Sequence, residues 1–450
     1  MNRVYIETER QDLFDVSIVI AMRFHISGNV TESAIRMAFE NAVRSHEILS
    51  TKVVIDAEGK AYYEKPEKEN SANKLADSDS ASSSNKLFFE VNDWQSIIHR
   101  EEKKRFKIEE GEFIRGFVYE SGSDESGEGA SILFMMHHLG GDGKSLVYFI
   151  ETFMNYLVDD GSKLLSSDRS DKDGLDNSDV RVLEMRTIPA GDISDKALRD
   201  RVGPLALVPK IYNKKWLKEM DSKEEAGKNA KRVFTFSDLD EAYDEYWKDR
   251  ESEIKEFVIA PETMTKVLEK CKEWKIGFTA YFTTAFLRRM ARKLDIGYAV
   301  DAREDGNKSM GNQATGISIK YAYNYDKSFR KNAEKVQSLM SNKLEDDGAR
   351  NFILPFMAAF EPTLVDAINL EHAGAFRSKT SKSLANMLGY GKKTKDPSIT
   401  NLTKLDIPDT YGSLKLDYFS FIPPVVSYGR NIIGLSTLGD CTVLTIHRIK

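Results

Sequence analysis

The sequence predicts a mixed α/β fold that is divided into two lobes. Its length of 450 residues exceeds what one compact core normally supports, so two units of about 200 residues each are expected. Strand-like and helix-like segments occur in both halves, and they do not alternate regularly along the chain. This irregular order favours mixed sheets over a doubly wound parallel sheet. We expect an N-terminal lobe over residues 1–180 and a C-terminal lobe over residues 181–450.

The first half begins with a strand, a helix and a hairpin. Residues 16–26 are rich in Val, Ile and Phe, which is typical of a strand. Thr31 is a favourable N-cap, and apolar residues from Ala34 onward recur at helical spacing. Two short strand-like runs, residues 52–55 and 61–64, flank a Glu-Gly pair and predict a β-hairpin.

Polar stretches separate the remaining elements of the first half. Residues 66–86 carry almost no apolar side chains, so we expect a mobile loop there. Residues 113–120 and 130–138 form a predicted antiparallel strand pair, and an apolar pattern over 146–157 predicts the helix that follows. Residues 158–180 are again polar, and we expect the chain to cross between the lobes in this stretch.

The second half shows the same kinds of element without an internal sequence repeat. Helices are predicted at 261–274 and 279–293. Strands are predicted at 256–259, 298–300 and 317–323, and residues 414–449 alternate in a strand-like way between turn signals.

Composition narrows the functional class. The net charge of −6 gives no general attraction for nucleic acid or anionic membrane surfaces. No apolar run approaches the length of a membrane span, and acidic residues at the N-terminus are unlike a secretory signal. The two cysteines, Cys271 and Cys441, lie far apart in the sequence, so we expect neither a disulfide framework nor a cysteine-based metal site. The expected location is the cytoplasm.

One segment carries recognisable chemistry. Between a predicted strand and a predicted helix, residues 137–145 read His-His-Leu-Gly-Gly-Asp-Gly-Lys-Ser. A phosphate-binding loop does not fit, because the glycine it requires would fall at position 138. A metal site is disfavoured, because neighbouring strand residues point to opposite faces and His137 and His138 should diverge. A histidine at the end of a strand can instead act as a general base at the mouth of a cleft.

The segment His137 to Gly143 matches the pattern H-H-x-x-x-D-G, and the chain therefore resembles a superfamily of acyltransferases. That superfamily includes chloramphenicol acetyltransferase, condensation domains of peptide synthetases, alcohol acetyltransferases and polyketide-associated acyltransferases of secondary metabolism. Weaker similarities are found at residues 44–51, at 300–303 with 311–312, and at 400–408. The sequence lacks D-F-G-W-G and H-Q-D-x-P-F-E segments, so a free-standing alcohol acetyltransferase or polyketide-associated type fits best.

The resemblance implies two lobes similar to chloramphenicol acetyltransferase, each a mixed sheet flanked by helices, with a tunnel between them. His138 is then the base that faces the tunnel, and His137 has a structural role. Asp142 is expected to hold the loop through an ion pair with Arg303, or alternatively with Arg44. The donor is an acyl-CoA or acyl-carrier-protein thioester, the acceptor is a small molecule with a hydroxyl or amine, and no bound cofactor is expected.

Two further residues are candidates for contact with ligands. The amide of Gly143 opens a helix and is suited to negative charge developing on a thioester oxygen. Asn312 is a candidate hydrogen-bond donor to a bound substrate, with a turn-forming role as the alternative. The competing functional interpretation is a non-catalytic protein that binds a carrier protein or another partner through the same cleft.

Overall fold

The computed structural model describes residues 3–65, 84–119, 129–158, 182–188, 203–225, 233–304, 306–390, 396–427 and 429–450. The predicted mobile loop at 66–86 lies almost wholly outside the described residues, and so does the predicted crossing between lobes at 158–180. Among the described helices, none combines the length and the apolar character that a membrane span requires.

The described chain contains 15 strands and 12 α-helices. The strands are β1 (Arg3–Tyr5), β2 (Val19–Ser27), β3 (Lys52–Ile55), β4 (Ala61–Glu64), β5 (Lys86–Glu90), β6 (Ile114–Tyr119), β7 (Gly129–His137), β8 (Ser252–Ile259), β9 (Leu294–Asp301), β10 (Ala314–Tyr321), β11 (Ser398–Lys404), β12 (Thr410–Tyr411), β13 (Leu414–Ile422), β14 (Asn431–Leu438) and β15 (Cys441–Ile449). The helices are α1 (Glu32–Ser45), α2 (Trp94–Glu101), α3 (Gly143–Val158), α4 (Val208–Glu225), α5 (Phe236–Trp247), α6 (Pro261–Trp274), α7 (Phe278–Met290), α8 (Phe329–Leu344), α9 (Asp347–Asn351), α10 (Ile353–Ala358), α11 (Pro362–Ala373) and α12 (Lys379–Leu388).

Two six-stranded sheets form the frame of the molecule. The first has the strand order β12-β13-β2-β7-β6-β5, and the second has the order β10-β9-β11-β14-β15-β8. Both are mixed, since β5 runs parallel to β6 and β11 runs parallel to β9 and β14, while the other neighbours are antiparallel. The remaining three strands form a small sheet of order β1-β4-β3. The predicted mixed α/β fold is therefore confirmed.

Strand β13 connects the two sheets. It belongs to the C-terminal half of the sequence, yet it pairs with β2 and so completes the first sheet. Its carbonyl groups at Phe419 and Phe421 accept hydrogen bonds from Ser436 and Thr445 of the second sheet, at 3.2 and 2.5 Å. The first sheet therefore contains strands from both halves of the sequence. A boundary at residue 180 divides the sequence, but it does not separate the two sheets. That boundary stays a prediction.

The elements close to the site were predicted by the strongest sequence patterns. Thr31 caps α1 by accepting a hydrogen bond from the amide of Ala34, and β3 and β4 form the predicted hairpin. Strands β6 and β7 pair antiparallel as expected. One boundary was wrong: β7 ends at His137, and His138 begins a 3₁₀ turn over His138–Gly140. The two glycines that follow break the strand pattern, and this turn redirects the second histidine.

Candidate active site

Strand β7 positions the two histidines because it lies in the middle of the first sheet. Its last residue, His137, is paired in register with Val19 of β2, and its side chain is 2% exposed. The His137 Nδ1 atom accepts a hydrogen bond from the amide of Leu139 at 3.1 Å, and the ring packs edge-on against Phe106. Burial lowers the pKa of His137 to about 3. His137 is therefore a neutral side chain that caps the turn.

His138 points in a different direction and remains partly accessible. Its amide donates to the carbonyl of Ile18 at 3.2 Å, which fixes the backbone, and its side chain is 15% exposed. The Nδ1 atom is buried and has no hydrogen-bond partner among the residues that the structure describes, so the exposed part of the ring lies elsewhere. Burial lowers the pKa of His138, although the nearby carboxylate of Asp142 opposes this. The imidazole is thus neutral at neutral pH and able to accept a proton.

Glycines in the turn allow the backbone to pass close to its neighbours. Gly141 has φ of 155°, and a Cβ added there would lie 2.4 Å from the Cβ of Ser145. Gly143 begins α3, and a Cβ there would lie 3.0 Å from Leu402 and 3.1 Å from Phe421. A larger residue at either position would push the turn away from helix α3 or from strands β11 and β13.

Asp142 and Arg303 form a buried, two-pronged ion pair. Arg303 Nη1 lies 2.8 Å from Asp142 Oδ2, and Nη2 lies 2.9 Å from Oδ1. The amides of Ser145 and Gln313 also donate to the carboxylate, each at 2.9 Å. Burial alone would raise the pKa of Asp142, but the Arg303 charge and these hydrogen bonds lower it overall. The pair joins the turn after β7 to the segment after β9, with both side chains less than 10% exposed.

The alternative partner, Arg44, does not reach this site. Its side chain on α1 is 65% exposed and lies 3.9 Å from Glu40 of the same helix. Arg303 is held further by the side chain of Asp301 and by the carbonyl of Gly311. Gly311 itself has φ of 141°, and a Cβ there would lie 1.9 Å from the carbonyl oxygen of Arg186. Asp142, Arg303 and Gly311 therefore form one packed unit.

Asn312 contacts another protein side chain. Its Nδ2 donates to Asp12 Oδ2 at 2.8 Å, and its Oδ1 accepts from the amide of Ala314. Asp12 Oδ2 also lies 3.9 Å from His138 Nδ1. Asn312 was expected to donate a hydrogen bond to substrate, but its amide group is bound to Asp12, which lies beside the candidate base.

Asp12 lies on a buried acidic segment that sequence reasoning missed. The segment was noted only as unlike a secretory signal, yet Glu9, Asp12 and Asp15 are each about 3% exposed. Asp15 accepts hydrogen bonds from the amide and hydroxyl of Ser17 and from the amide of Ser427. The available signal was the pair Leu13 and Phe14, since two large apolar residues among acidic ones indicate a segment that enters the core.

The histidine that follows helix α1, His46, is enclosed by the core of the first half. His46 is fully buried, contacts Thr152 Oγ1 at 3.1 Å, and burial lowers its pKa to about 3. Within the described part of the chain, no three His, Cys, Asp or Glu side chains are grouped so that they could hold a metal ion.

A cavity of about 410 Å³ is lined by the segment after β13, by the end of β15 and by residues on or next to α5 and α11. Its lining includes Tyr246, His372 and Ser427, together with the cations Arg250 and Arg430. Ser427 is bonded to Asp15, so the cavity borders the acidic segment that also carries Asp12. A continuous tunnel from this cavity to His138 stays a prediction.

The fold is similar to that of condensation domains and acyltransferases. The first condensation domain of the calcium-dependent antibiotic synthetase (CDA synthetase) aligns with 99% of this chain and 90% of its own, at 14% identity and a TM-score of 0.58. The trichothecene 15-O-acetyltransferase from Fusarium sporotrichioides aligns with 98% of this chain and 90% of its own, at 13% identity and a TM-score of 0.58. Polyketide synthase associated protein 5 from Mycobacterium tuberculosis aligns with 99% and 94%, at 10% identity and a TM-score of 0.56.

These similarities are found in the structure alone. No protein-family model matches the sequence, and no curated protein sequence matches it significantly. TM-scores of 0.56–0.58 over 98–99% of the chain show that it has the two-lobed fold of condensation domains and acetyltransferases, and at identities of 10–14% the similarity shows the fold alone. The predicted fold similarity is confirmed, and function has to be argued from the site.

Proposed function

We propose that the protein is an acyltransferase that moves an acyl group from a CoA or carrier-protein thioester to a hydroxyl or amine. The observation that carries this proposal is the environment of His138. A neutral, partly exposed imidazole stands on a turn that the Asp142–Arg303 ion pair holds in place, in a fold that a trichothecene acetyltransferase shares. A neutral imidazole with restricted motion is what general-base catalysis requires.

The proposed reaction proceeds in a ternary complex without an acyl-enzyme. Because Nδ1 of His138 is buried, Nε2 is the atom that takes the proton from the acceptor. The acceptor oxygen or nitrogen attacks the thioester carbon, and a tetrahedral intermediate forms with negative charge on the former carbonyl oxygen. The backbone amide of Gly143 is the candidate donor to that oxygen. The C–S bond then breaks, and the imidazolium returns its proton to the departing thiolate.

We place the entrance for the donor at the cavity that is lined by the segment after β13 and by the end of β15. Arg250 and Arg430 line it, and arginines bind the phosphates of CoA or phosphopantetheine well because the guanidinium matches phosphate oxygens. Replacing Arg430 by Ala should raise KM for the donor several-fold and leave kcat nearly unchanged, since the phosphate is remote from the reacting carbon. A lowered kcat at unchanged KM would contradict this placement.

The test of the proposed function is thiol release from acyl donors. Acetyl-CoA, longer acyl-CoAs and acyl-pantetheine are offered with a panel of alcohols and amines, and free thiol is measured with and without protein. We expect acceptor-dependent thiol release that the His138→Ala variant lacks and the His99→Ala variant retains. Saturable binding of an acyl carrier protein without thiol release for any donor would favour the non-catalytic interpretation instead.

A further inference from the structure

The carboxylate of Asp12 faces the buried ring nitrogen of His138. Asp12 Oδ2 lies 3.9 Å from His138 Nδ1, and both atoms belong to side chains that are at most 15% exposed. Among the described residues, Nδ1 has no hydrogen-bond partner, although it is buried. A distance of 3.9 Å is within ion-pair range and longer than a hydrogen bond. Catalytic contacts are often long in the free enzyme and shorten when substrate is bound.

Asp12 is held in this place by both halves of the chain. Its Oδ2 accepts from Asn312 at 2.8 Å, and its amide donates to the carbonyl of Glu9 at 2.9 Å within a short 3₁₀ turn. The preceding residue, Gln11, accepts a hydrogen bond from Asn369 of α11 at 2.6 Å. Arg10 forms a buried ion pair with Asp366 of the same helix. The turn that carries Asp12 is therefore fixed before any substrate arrives.

Burial disfavours the charged form of Asp12 and the charged form of His138 when each is considered alone. Burial raises the pKa of Asp12, and the carboxylates of Asp15 and Glu9 raise it further. Burial lowers the pKa of His138, and the charge of Asp142, a hydrogen bond to its own backbone and the charge of Asp15 oppose this. A proton on the imidazole and a charge on the carboxylate compensate each other, so each group favours the charged form of the other.

We propose that Asp12 is a positioning residue for His138, which keeps the proton on Nδ1 and stabilises the imidazolium that forms when Nε2 takes a proton from the acceptor. This proposal rests on the proposed function for its catalytic part, while the pairing of the two groups can be tested without it. Asp12 receives no proton in the cycle: Nε2 takes the proton from the acceptor and returns it to the thiolate. Asn312 acts indirectly, since it orients the carboxylate.

Other titratable groups also surround His138, and the test has to separate their effects from that of Asp12. On its own turn these are Asp142 and the neutral His137, and Arg303 is paired with Asp142. On the N-terminal segment the second carboxylate is Asp15, which is already bonded to Ser17 and Ser427. Asp12 differs from these because it approaches Nδ1 itself.

The experiment is a titration of the histidine rings by NMR in protein labelled with ¹³C and ¹⁵N at histidine. The His138 signals are assigned as those absent from the His138→Gln spectrum. Asp12→Asn keeps the shape of the side chain and removes its charge. The matched control is Glu9→Gln, which neutralises an equally buried carboxyl on the same segment that has no contact with His138.

We expect Asp12→Asn to lower the pKa of His138 by about one unit or more, because an opposite charge within 4–6 Å typically shifts a pKa by 1–3 units. Glu9→Gln should leave it nearly unchanged. If Asp12→Asn does not fold, the His138→Gln variant provides the reciprocal measurement, in which loss of the imidazole raises the pKa of Asp12. An unchanged His138 pKa in folded Asp12→Asn, or an unchanged Asp12 pKa in His138→Gln, would overturn the proposal.

Kinetics then test the catalytic consequence. Asp12→Asn should lower kcat by up to about tenfold for each unit by which the His138 pKa falls, with little change in KM, and should shift the acidic limb of the pH–rate profile downward. Glu9→Gln should retain the wild-type profile. A changed pKa in a protein that shows no acyl transfer would support the pairing and refute the proposed function. An altered KM with an unshifted pH profile would reduce Asp12 to a structural residue.

Discussion

Both carboxylate oxygens of Asp142 are bound by other groups of the protein. Its oxygens are occupied by two nitrogens of Arg303 and by the amides of Ser145 and Gln313. A carboxylate free in the cleft would oppose the charge that builds on the thioester oxygen, and the ion pair removes this conflict. The pair also links the turn that carries His138 to the second half of the chain.

A double-mutant cycle on Asp142 and Arg303 tests this role. Because both groups are buried, removing one leaves the other charge uncompensated, which typically costs about 3–5 kcal/mol. Asp142→Asn and Arg303→Ala should therefore each lower the free energy of unfolding by such an amount and reduce turnover, and together they should lose less than the sum. Denaturant unfolding and turnover are measured for all four proteins.

The exposed Arg44 is the control for that cycle. Arg44→Ala should change stability by no more than about 0.5 kcal/mol and should add to Asp142→Asn without coupling. Strict additivity between Asp142 and Arg303, or coupling between Asp142 and Arg44, would contradict the pairing.

At the scale of elements, local patterns predicted what is close in sequence. Strand β7, the turn after it and helix α3 were predicted because apolar spacing and two adjacent glycines specify them locally. The contact between Arg303 and Asp142 could be predicted only from the resemblance to the acyltransferase superfamily. The approach of Asp12 to His138 was not predicted, since no periodicity or spacing relates the turn Arg10–Asp12 to the end of β7. Contacts of this kind depend on how the two sheets are assembled.

The segment between β9 and β10 shows how elements constrain one another at the site. Gly311 lies against residues 182–188, where the amide of Arg186 donates to the carbonyl of Met310. A methyl group at Gly311 would lie 1.9 Å from the carbonyl oxygen of Arg186. The backbone φ of 141° would in addition be strained for any residue other than glycine. This glycine therefore keeps two elements in contact beside Arg303.

Replacing Gly311 by Ala should cost on the order of 3 kcal/mol of stability, from strain and displaced backbone together. The matched control is Gly306→Ala, because Gly306 also has a positive φ, of 77°, and no atom lies within 4 Å of an added Cβ. The control should lose only about 1–2 kcal/mol, the cost of a left-handed conformation. Equal losses in thermal or denaturant unfolding would show that the contact with Arg186 contributes nothing.

At the scale of the whole molecule, a buried histidine joins the second sheet to the first half of the chain. His447 of β15 lies 3.0 Å from Glu102, which follows α2, and its Nδ1 donates to the carbonyl of Pro423 at 2.7 Å. Both ring nitrogens lie next to acceptor oxygens, and this arrangement favours the protonated ring. Burial would lower its pKa, but the Glu102 carboxylate raises it above the ordinary value of 6.5.

This link makes part of the stability dependent on pH. A histidine whose pKa is raised by folding contributes stability that is complete below about pH 6.5 and is lost as the pH rises through the folded pKa. The advantage of wild type over the double variant His447→Gln with Glu102→Gln should therefore shrink between pH 6.5 and 9. Unfolding free energies across this range measure it.

The control for this prediction is Ser436→Ala, which removes another bond between the sheets without removing a titrating group. Its difference from wild type should be the same at every pH in the range. A wild-type advantage over the double variant that stays constant with pH would mean that His447 is neutral in the folded protein.

The rate of acyl transfer in the His138→Ala variant decides whether His138 is the base of the reaction. The rate is measured with saturating donor and acceptor, and folding is checked by thermal unfolding. Because the side chain is 15% exposed, we expect near-normal stability and a rate about 10²–10⁴-fold lower than wild type. His137→Ala is the comparison: it should lose stability, since its ring is buried, and retain most activity per folded molecule. Wild-type turnover in His138→Ala, or a stable and inactive His137→Ala, would contradict the account.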